Sequence, residues 1–150
     1  MSQSLTQLYL HIVFSTKNRK TYLQDSVSVE LYNYFGGILN NLECSPIKIG
    51  GYYDHVHILC RMSKKITVIK LLEEIKRSSS KWIKTKGNEF YGFHWQDGYG
   101  AFTVSSSQVN KIINYIEYQH VHHEKRVFKD EYADLLKEND TDYDERYFLD

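Results

Sequence analysis

Cysteine and proline are scarce in this chain, and its charge sums to nothing. Two cysteines, Cys44 and Cys60, stand among 150 residues, and neither belongs to a CxxC pair. That spacing excludes a zinc ribbon and a disulfide framework, and it leaves a reduced, cytoplasmic setting as the expectation. Pro46 is the only proline. No stretch approaches the roughly 18 consecutive apolar residues of a membrane span, so no membrane partner is expected. The opening MSQSLTQLYLHIVF lacks the basic region and long apolar run of a signal peptide. A GxxxxGK[ST] phosphate loop and a GxSxG elbow are also missing, which argues against a nucleotide cofactor and against a serine hydrolase.

The formal net charge of +0 conceals an asymmetry. Between Arg61 and Lys86 there are nine Lys or Arg residues against Glu73 and Glu74. From Phe128 onward there are nine acids against Lys129, Lys137 and Arg146. A basic middle and an acidic tail cancel in the sum, and the asymmetry is the informative quantity. Apolar residues make up 41% and charged residues 25%, the balance of a soluble globular chain. Its length suits one domain spanning 1–150. Thirteen tyrosines raise the aromatic content to 15%; they serve packing first, and a base-stacking surface is the alternative.

Leu8 to Ser15 (LYLHIVFS) reads as a buried strand, followed by the basic turn Lys17, Arg19, Lys20. A helix is expected from about Asp25, as N-cap, to Leu42, with Gly36-Gly37 weakening its last turns. Ile47–Tyr52 and Asp54–Arg61 read as a hairpin, and Ile66–Lys84 as a long helix. Phe93 to Val104 reads as a strand with a bend at its glycines, Gln108 to His122 as a helix, and Lys129 to Lys137 as a short helix within the acidic tail of about 128–150. The first six elements give βαββαβ, the ferredoxin-like α+β arrangement of an antiparallel sheet with helices on one face.

Three constellations can carry chemistry. His55 and His57 flank Val56 on a strand, where i and i+2 share a face and lie about 7 Å apart along it. They are either a metal pair or two solvent-facing imidazoles. On the helix 108–122, Tyr115, Gln119 and His122 cluster along one edge of the apolar face, at about 100° per residue, and Tyr118 falls on the far side. Tyr115 is a candidate there, against a boundary tyrosine beside an amide. Lys70, Arg77, Lys81 and Lys84 share the polar face of the long helix within about 60° and, with Lys17, Arg19 and Lys20, are candidate phosphate contacts; a solvated face explains them equally. Trp95 is a candidate for stacking on an unpaired base or for the core.

With these residues in view, the sequence resembles the HUH-type single-tyrosine transposases of bacterial insertion sequences (TnpA type, IS200-like group). The resemblance runs nearly end to end, through LYLHIVFSTKNR, DHVHIL, WQDGYGAFTVS, NYIEYQ and the tail from HHEKRVF to the last residue. It implies a ferredoxin-like homodimer in which Tyr115 is the nucleophile and His55, His57 and Gln119 hold a divalent cation, Mg²⁺ or Mn²⁺. The implied substrate is single-stranded DNA with hairpins at the element ends, cut and rejoined through a 5′-phosphotyrosine in the cytoplasm of a bacterial or archaeal cell. Two alternatives stand beside it. One is a ferredoxin-like single-stranded nucleic-acid binder that keeps the site without using it. The other is a metal-dependent nuclease that uses water.

Overall fold

The computed structural model describes residues 2–150. Four strands, β1 (Tyr9–Ser15), β2 (Ser45–Tyr52), β3 (His55–Arg61) and β4 (Gly100–Val104), form one sheet in the order β2-β3-β1-β4. Every neighbouring pair is antiparallel. Helices α1 (Asp25–Asn41) and α2 (Val68–Ile83) complete the βαββαβ order. Three further helices follow, α3 (Val109–Glu117), α4 (Gln119–His123) and α5 (Phe128–Glu138). The fold is the expected mixed arrangement on a four-stranded antiparallel sheet. No helix among the described residues is long and apolar enough to cross a membrane.

Alternation along the central strands builds two cores. Leu10, Ile12 and Phe14 of β1 and Val56, Ile58 and Cys60 of β3 face α1 and α2, whose Leu31, Phe35, Leu71, Leu72 and Ile75 complete that side. Each such fully buried side chain stabilises the fold by about 1.5–3 kcal/mol. The intervening residues point to the opposite face, where Val13 and Phe102 pack with Phe128, Tyr132, Leu135 and Leu136 of α5. The sheet is therefore covered on both faces, which is why β1 and β3 read as nearly unbroken apolar runs. The helices after β4 form a second layer on the sheet, with α3 and α4 packed on β2.

Several boundaries differ from the sequence reading, each for a local reason. The strand expected from Phe93 to Val104 is confined to Gly100–Val104. Phe93 and Trp95 turn into the α1–α2 core instead; Trp95 keeps an isolated bridge to Thr16, and Gln96 N donates to the Ser15 carbonyl of β1 at 2.9 Å. The loop after Trp95 is pinned by Lys76, whose ammonium donates to the carbonyls of Gln96, Asp97 and Gly98 at 2.8, 3.1 and 2.6 Å. Asp25 is the first residue of α1 rather than its cap; Gln24 precedes it and makes no side-chain cap. Thr67 does cap α2, accepting from Lys70 N. The helix expected over 108–122 breaks at Tyr118, where φ −97° and ψ 23° end α3 and start α4.

Two glycines allow close approach beside β3. A Cβ on Gly51 would lie 2.3 Å from the His55 carbonyl oxygen, and one on Gly50 would lie 2.8 Å from Ile116 Cγ2 of α3. A bare backbone at these positions lets β2 pass between the first residues of β3 and the helix that carries Tyr115.

Candidate functional site

β3 begins immediately after the turn at Tyr53–Asp54, so His55 and His57 open the strand and point, with His11 and Val13 of β1, toward the α3–α5 layer. Both histidines are fully buried. The solvent-facing alternative for them is excluded, because α3, α4 and α5 close over that face.

A carboxylate from the acidic tail stands at the centre of the cluster. Glu131 of α5 is 2% exposed. Its Oε1 lies 3.2 Å from His55 Nε2, 3.4 Å from His57 Nε2 and 3.0 Å from His123 Nε2. Its Oε2 accepts from the Tyr115 hydroxyl and from Gln119 Nε2 at 2.8 Å. Gln119 Oε1 in turn lies 2.8 Å from His55 Nε2. Tyr115, Gln119, His55 and His57 thus meet within one chain. The Tyr115 ring stands edge-on to His57, with centroids 5.6 Å apart, and stacks on His122 at 5.5 Å. Tyr118 is 56% exposed and points away.

The outer imidazole nitrogens are also engaged. His55 Nδ1 meets Asp54 Oδ1 at 2.7 Å, and His57 Nδ1 meets His11 Nε2 at 2.9 Å, with the two rings stacked. Such partners fix which nitrogen faces inward.

Burial and charge work against each other here. Burial disfavours a charged His55, but Asp54 and Glu131 together outweigh it and push its pKa up to about 9. With Asp54 and Glu131 beside its two ring nitrogens, the metal-free site favours the charged form, and a bound cation would take the place of the proton on Nε2. Burial pushes His57 down despite Glu131, and burial with His57 nearby takes His11 down to about 3. Burial also opposes the Glu131 charge, yet the surrounding imidazoles, led by His57, hold its carboxyl far below the usual range. Burial and then the Glu131 charge raise the Tyr115 phenol well above its ordinary value.

The donor set fits a small divalent cation. His55, His57 and Glu131 offer ligand atoms within 4.8 Å of one another, and Gln119 adds an amide oxygen. An octahedral ion with bonds of about 2.1 Å places adjacent ligands about 3.0 Å apart. The observed separations of 2.8, 3.2 and 3.4 Å bracket that spacing. Imidazole and carboxylate together suit Mn²⁺ better than Mg²⁺.

The other candidates sit elsewhere. Trp95 is not available to stack on a base: it is buried in the α1–α2 core, and its indole N–H donates to Ser79 Oγ at 3.0 Å. Lys70, Arg77, Lys81 and Lys84 lie on the outer side of α2, across the sheet from the histidines; Lys70 and Arg77 pair with Glu74. The turn bearing Lys17, Arg19 and Lys20 does adjoin the site's end of the sheet, since Thr16 N donates to Asp54 O at 2.9 Å. There Lys17 lies 3.7 Å from Asp97, and Arg19 donates to the Leu149 carbonyl at 2.8 Å.

Sequence reasoning missed Glu131, His11, His123 and Asp54. Glu131 had one available signal: it falls inside the apolar stripe Phe128, Tyr132, Leu135, Leu136 rather than on the polar side of α5. His11 interrupts the apolar run of β1 in register with the inward side of the histidine strand.

The family model described as "Transposase IS200 like" matches residues 4–119. That span includes His55, His57, Tyr115 and Gln119 and stops before α5 and Glu131. Among solved structures, a candidate transposase from Deinococcus radiodurans R1 aligns with a TM-score of 0.63 at 23% identity, over 79% of this chain and 98% of that one. A REP-associated tyrosine transposase bound to a REP hairpin aligns with a TM-score of 0.61 at 13% identity, over 82% of this chain and 74% of that one. No curated protein matches.

Proposed function

The chain belongs to the IS200-like transposase family as a single-tyrosine transposase, and from that premise we propose that it cuts and rejoins single-stranded DNA at hairpin-bearing element ends, with Tyr115 as nucleophile and a divalent cation held by His55, His57 and Gln119. The observation that carries the reading is the convergence of the Tyr115 hydroxyl, Gln119 and both histidines on the one carboxylate of Glu131. The REP hairpin bound by the similar tyrosine transposase supports a hairpin as the recognised form. The assembly acts as a homodimer. Because the reacting groups meet within one chain, the reading puts Tyr115 to work beside the histidines of its own subunit.

In the reaction, Tyr115 Oη attacks phosphorus, an O–P bond forms and the P–O3′ bond breaks. The strand's 5′ end is left as a phosphotyrosine, and the departing oxygen takes up a proton as a 3′-OH. Reversal by a 3′-OH rejoins strands without ATP, because the phosphotyrosine conserves the bond energy. When bound, the cation supplies positive charge against the non-bridging phosphate oxygens and the nearby carboxylate. Glu131 Oε2 accepts the phenol's hydrogen bond and orients its oxygen, and the proton that the phenol gives up balances the one the departing O3′ takes up. Asp54 and His11 hold the outer nitrogens of the two histidines. Gln119 ties the nucleophile's helix to His55. Lys17, Arg19 and Lys20, on the turn at the site's end of the sheet, supply positive charge for backbone phosphates of the same strand.

The test is a labelled hairpin-bearing single strand, taken from DNA flanking the coding sequence and incubated with protein and Mn²⁺. A band that migrates with the protein on a denaturing gel, and that chelator abolishes, is expected. Cleavage without such a band would favour water as the nucleophile. Binding with neither would favour a binding module.

A further inference from the structure

Beside Tyr115 the molecule opens into a cavity of about 440 Å³, bounded by β4, α3 and α5. This lies in the range of small-ligand pockets, about 300–1,000 Å³. Its lining has two characters. Phe102 and Ile112 give an apolar wall, Gln108 and Asn139 bring amides, and Lys111 and Glu138 bring charges of opposite sign. The Tyr115 ring forms part of the wall, so the cavity adjoins the residue that the proposed reaction uses.

We propose that this cavity is a base pocket, which takes one unpaired nucleobase flanking the scissile phosphate and reads it. The inference rests on the transposase reading above and adds a specificity site to it. The match is chemical. A base has an apolar π-face and a polar edge, so it needs flat apolar packing on one side and paired donors and acceptors on another. Phe102 and Ile112 supply the first. Gln108 supplies the second with a donor and an acceptor side by side, and Asn139, whose Nδ2 donates to the Leu135 carbonyl at 2.8 Å, adds its amide oxygen as an acceptor. Lys111 at the rim meets the phosphate that joins this nucleotide to its neighbour. The pocket holds the base of a single strand, because a base stacked and paired in a duplex cannot enter. Seating the base fixes the adjoining phosphate in front of Tyr115, so recognition and alignment are one event.

The experiment incubates the full chain and Mn²⁺ with a pool of single strands that keep a hairpin and are randomised around the cut. Sequencing the strand bound to protein and the released 3′-OH fragment reads the nucleotide on each side of the cut. The wild-type protein is expected to show a base preference at one of the two. Gln108→Ala with Asn139→Ala, both on exposed positions, reduces that preference on the order of 10-fold and lowers adduct yield from the preferred sequence toward that of the others. Ile112→Trp fills the cavity and lowers adduct formation from all sequences. An unchanged preference in the double variant, or normal adduct formation in Ile112→Trp, overturns the pocket while leaving the transposase reading intact. The absence of any adduct from the wild-type pool overturns the transposase reading, and the pocket with it.

Discussion

The Tyr115 hydroxyl donates to Glu131, a residue of the helix that follows the break at Tyr118 and the α4 turn. One contact thereby joins the proposed nucleophile to the acidic tail, and the other oxygen of that carboxylate meets three imidazoles. Removing this carboxylate leaves Asp54 as the one counter-charge on His55 and takes the shared acceptor from three buried imidazoles. Glu131→Ala is expected to cost about 3–5 kcal/mol of stability in metal-free protein, and Glu131→Gln less, because the amide keeps the shape. Urea denaturation at neutral pH measures both; an unchanged midpoint in Glu131→Ala would show that the carboxylate is not the hub of the cluster.

His11 stands behind His57, ring on ring, with nitrogens 2.9 Å apart. For His57 Nε2 to accept a cation, its proton must sit on Nδ1 and be donated to His11. His11→Phe keeps an aromatic ring but removes that acceptor. Mn²⁺ binding followed by calorimetry is expected to weaken on the order of 10–100-fold, with partial recovery in His11→Gln. Equal affinity in wild type and His11→Phe would deny the positioning role.

Gly50 marks where β2 meets the tyrosine helix. A methyl group there meets Ile116 Cγ2 at 2.8 Å and the Ile116 carbonyl oxygen at 3.2 Å, so α3 must retreat. Gly50→Ala is expected to cost about 1–3 kcal/mol and to lower adduct yield. Gly36→Ala is the contrast: nothing lies within 4 Å of its Cβ in mid-helix, and about 0.5–1 kcal/mol of added stability follows. Thermal melts of the two variants should move in opposite directions.

Cys60 lies in the α1–α2 core, and burial, followed by the Cys44 neighbour, pushes its thiol up to about 12. The folded value exceeds the unfolded value of 9.0. Its contribution to stability is therefore whole below about pH 9 and is lost as pH rises from there toward 12. Native protein should resist iodoacetamide at Cys60 at pH 8.5 and react once unfolded. Stability of wild type relative to Cys60→Ala should fall as pH is raised from 9 to 11; a flat difference would contradict the burial argument.

The sheet was legible because alternation and β-branched runs report burial directly. The loop from Gln96 to Tyr99 was not, since its path depends on Lys76, twenty residues earlier in sequence, gathering three carbonyls. His55 and His57 were visible as a pair, but whether that face was wet or dry depended on α5, whose docking no local pattern encodes. Tyr115 separated from Tyr118 on the helical wheel, and Gln119 stays beside Tyr115 even though the helix breaks between them. Glu131 was lost among nine acids because composition counts charge and ignores the apolar stripe on which it sits. The shared face of Lys70, Arg77, Lys81 and Lys84 was legible from the helical wheel, and Trp95 stood open between base and core; the side of the sheet that each occupies places Trp95 in the core and the basic face away from the histidines.

The central claim is that Tyr115 is the atom-bearing nucleophile, and locating the bond tests it most directly. Protein trapped with a hairpin-bearing single strand and Mn²⁺, digested with nuclease and trypsin, yields the peptide running from Ile112 to Lys125, which contains both Tyr115 and Tyr118. Fragmentation in the mass spectrometer should find the phosphonucleotide on Tyr115 and find none in Tyr115→Phe. Its presence on Tyr118, or a normal adduct in Tyr115→Phe, would contradict the account.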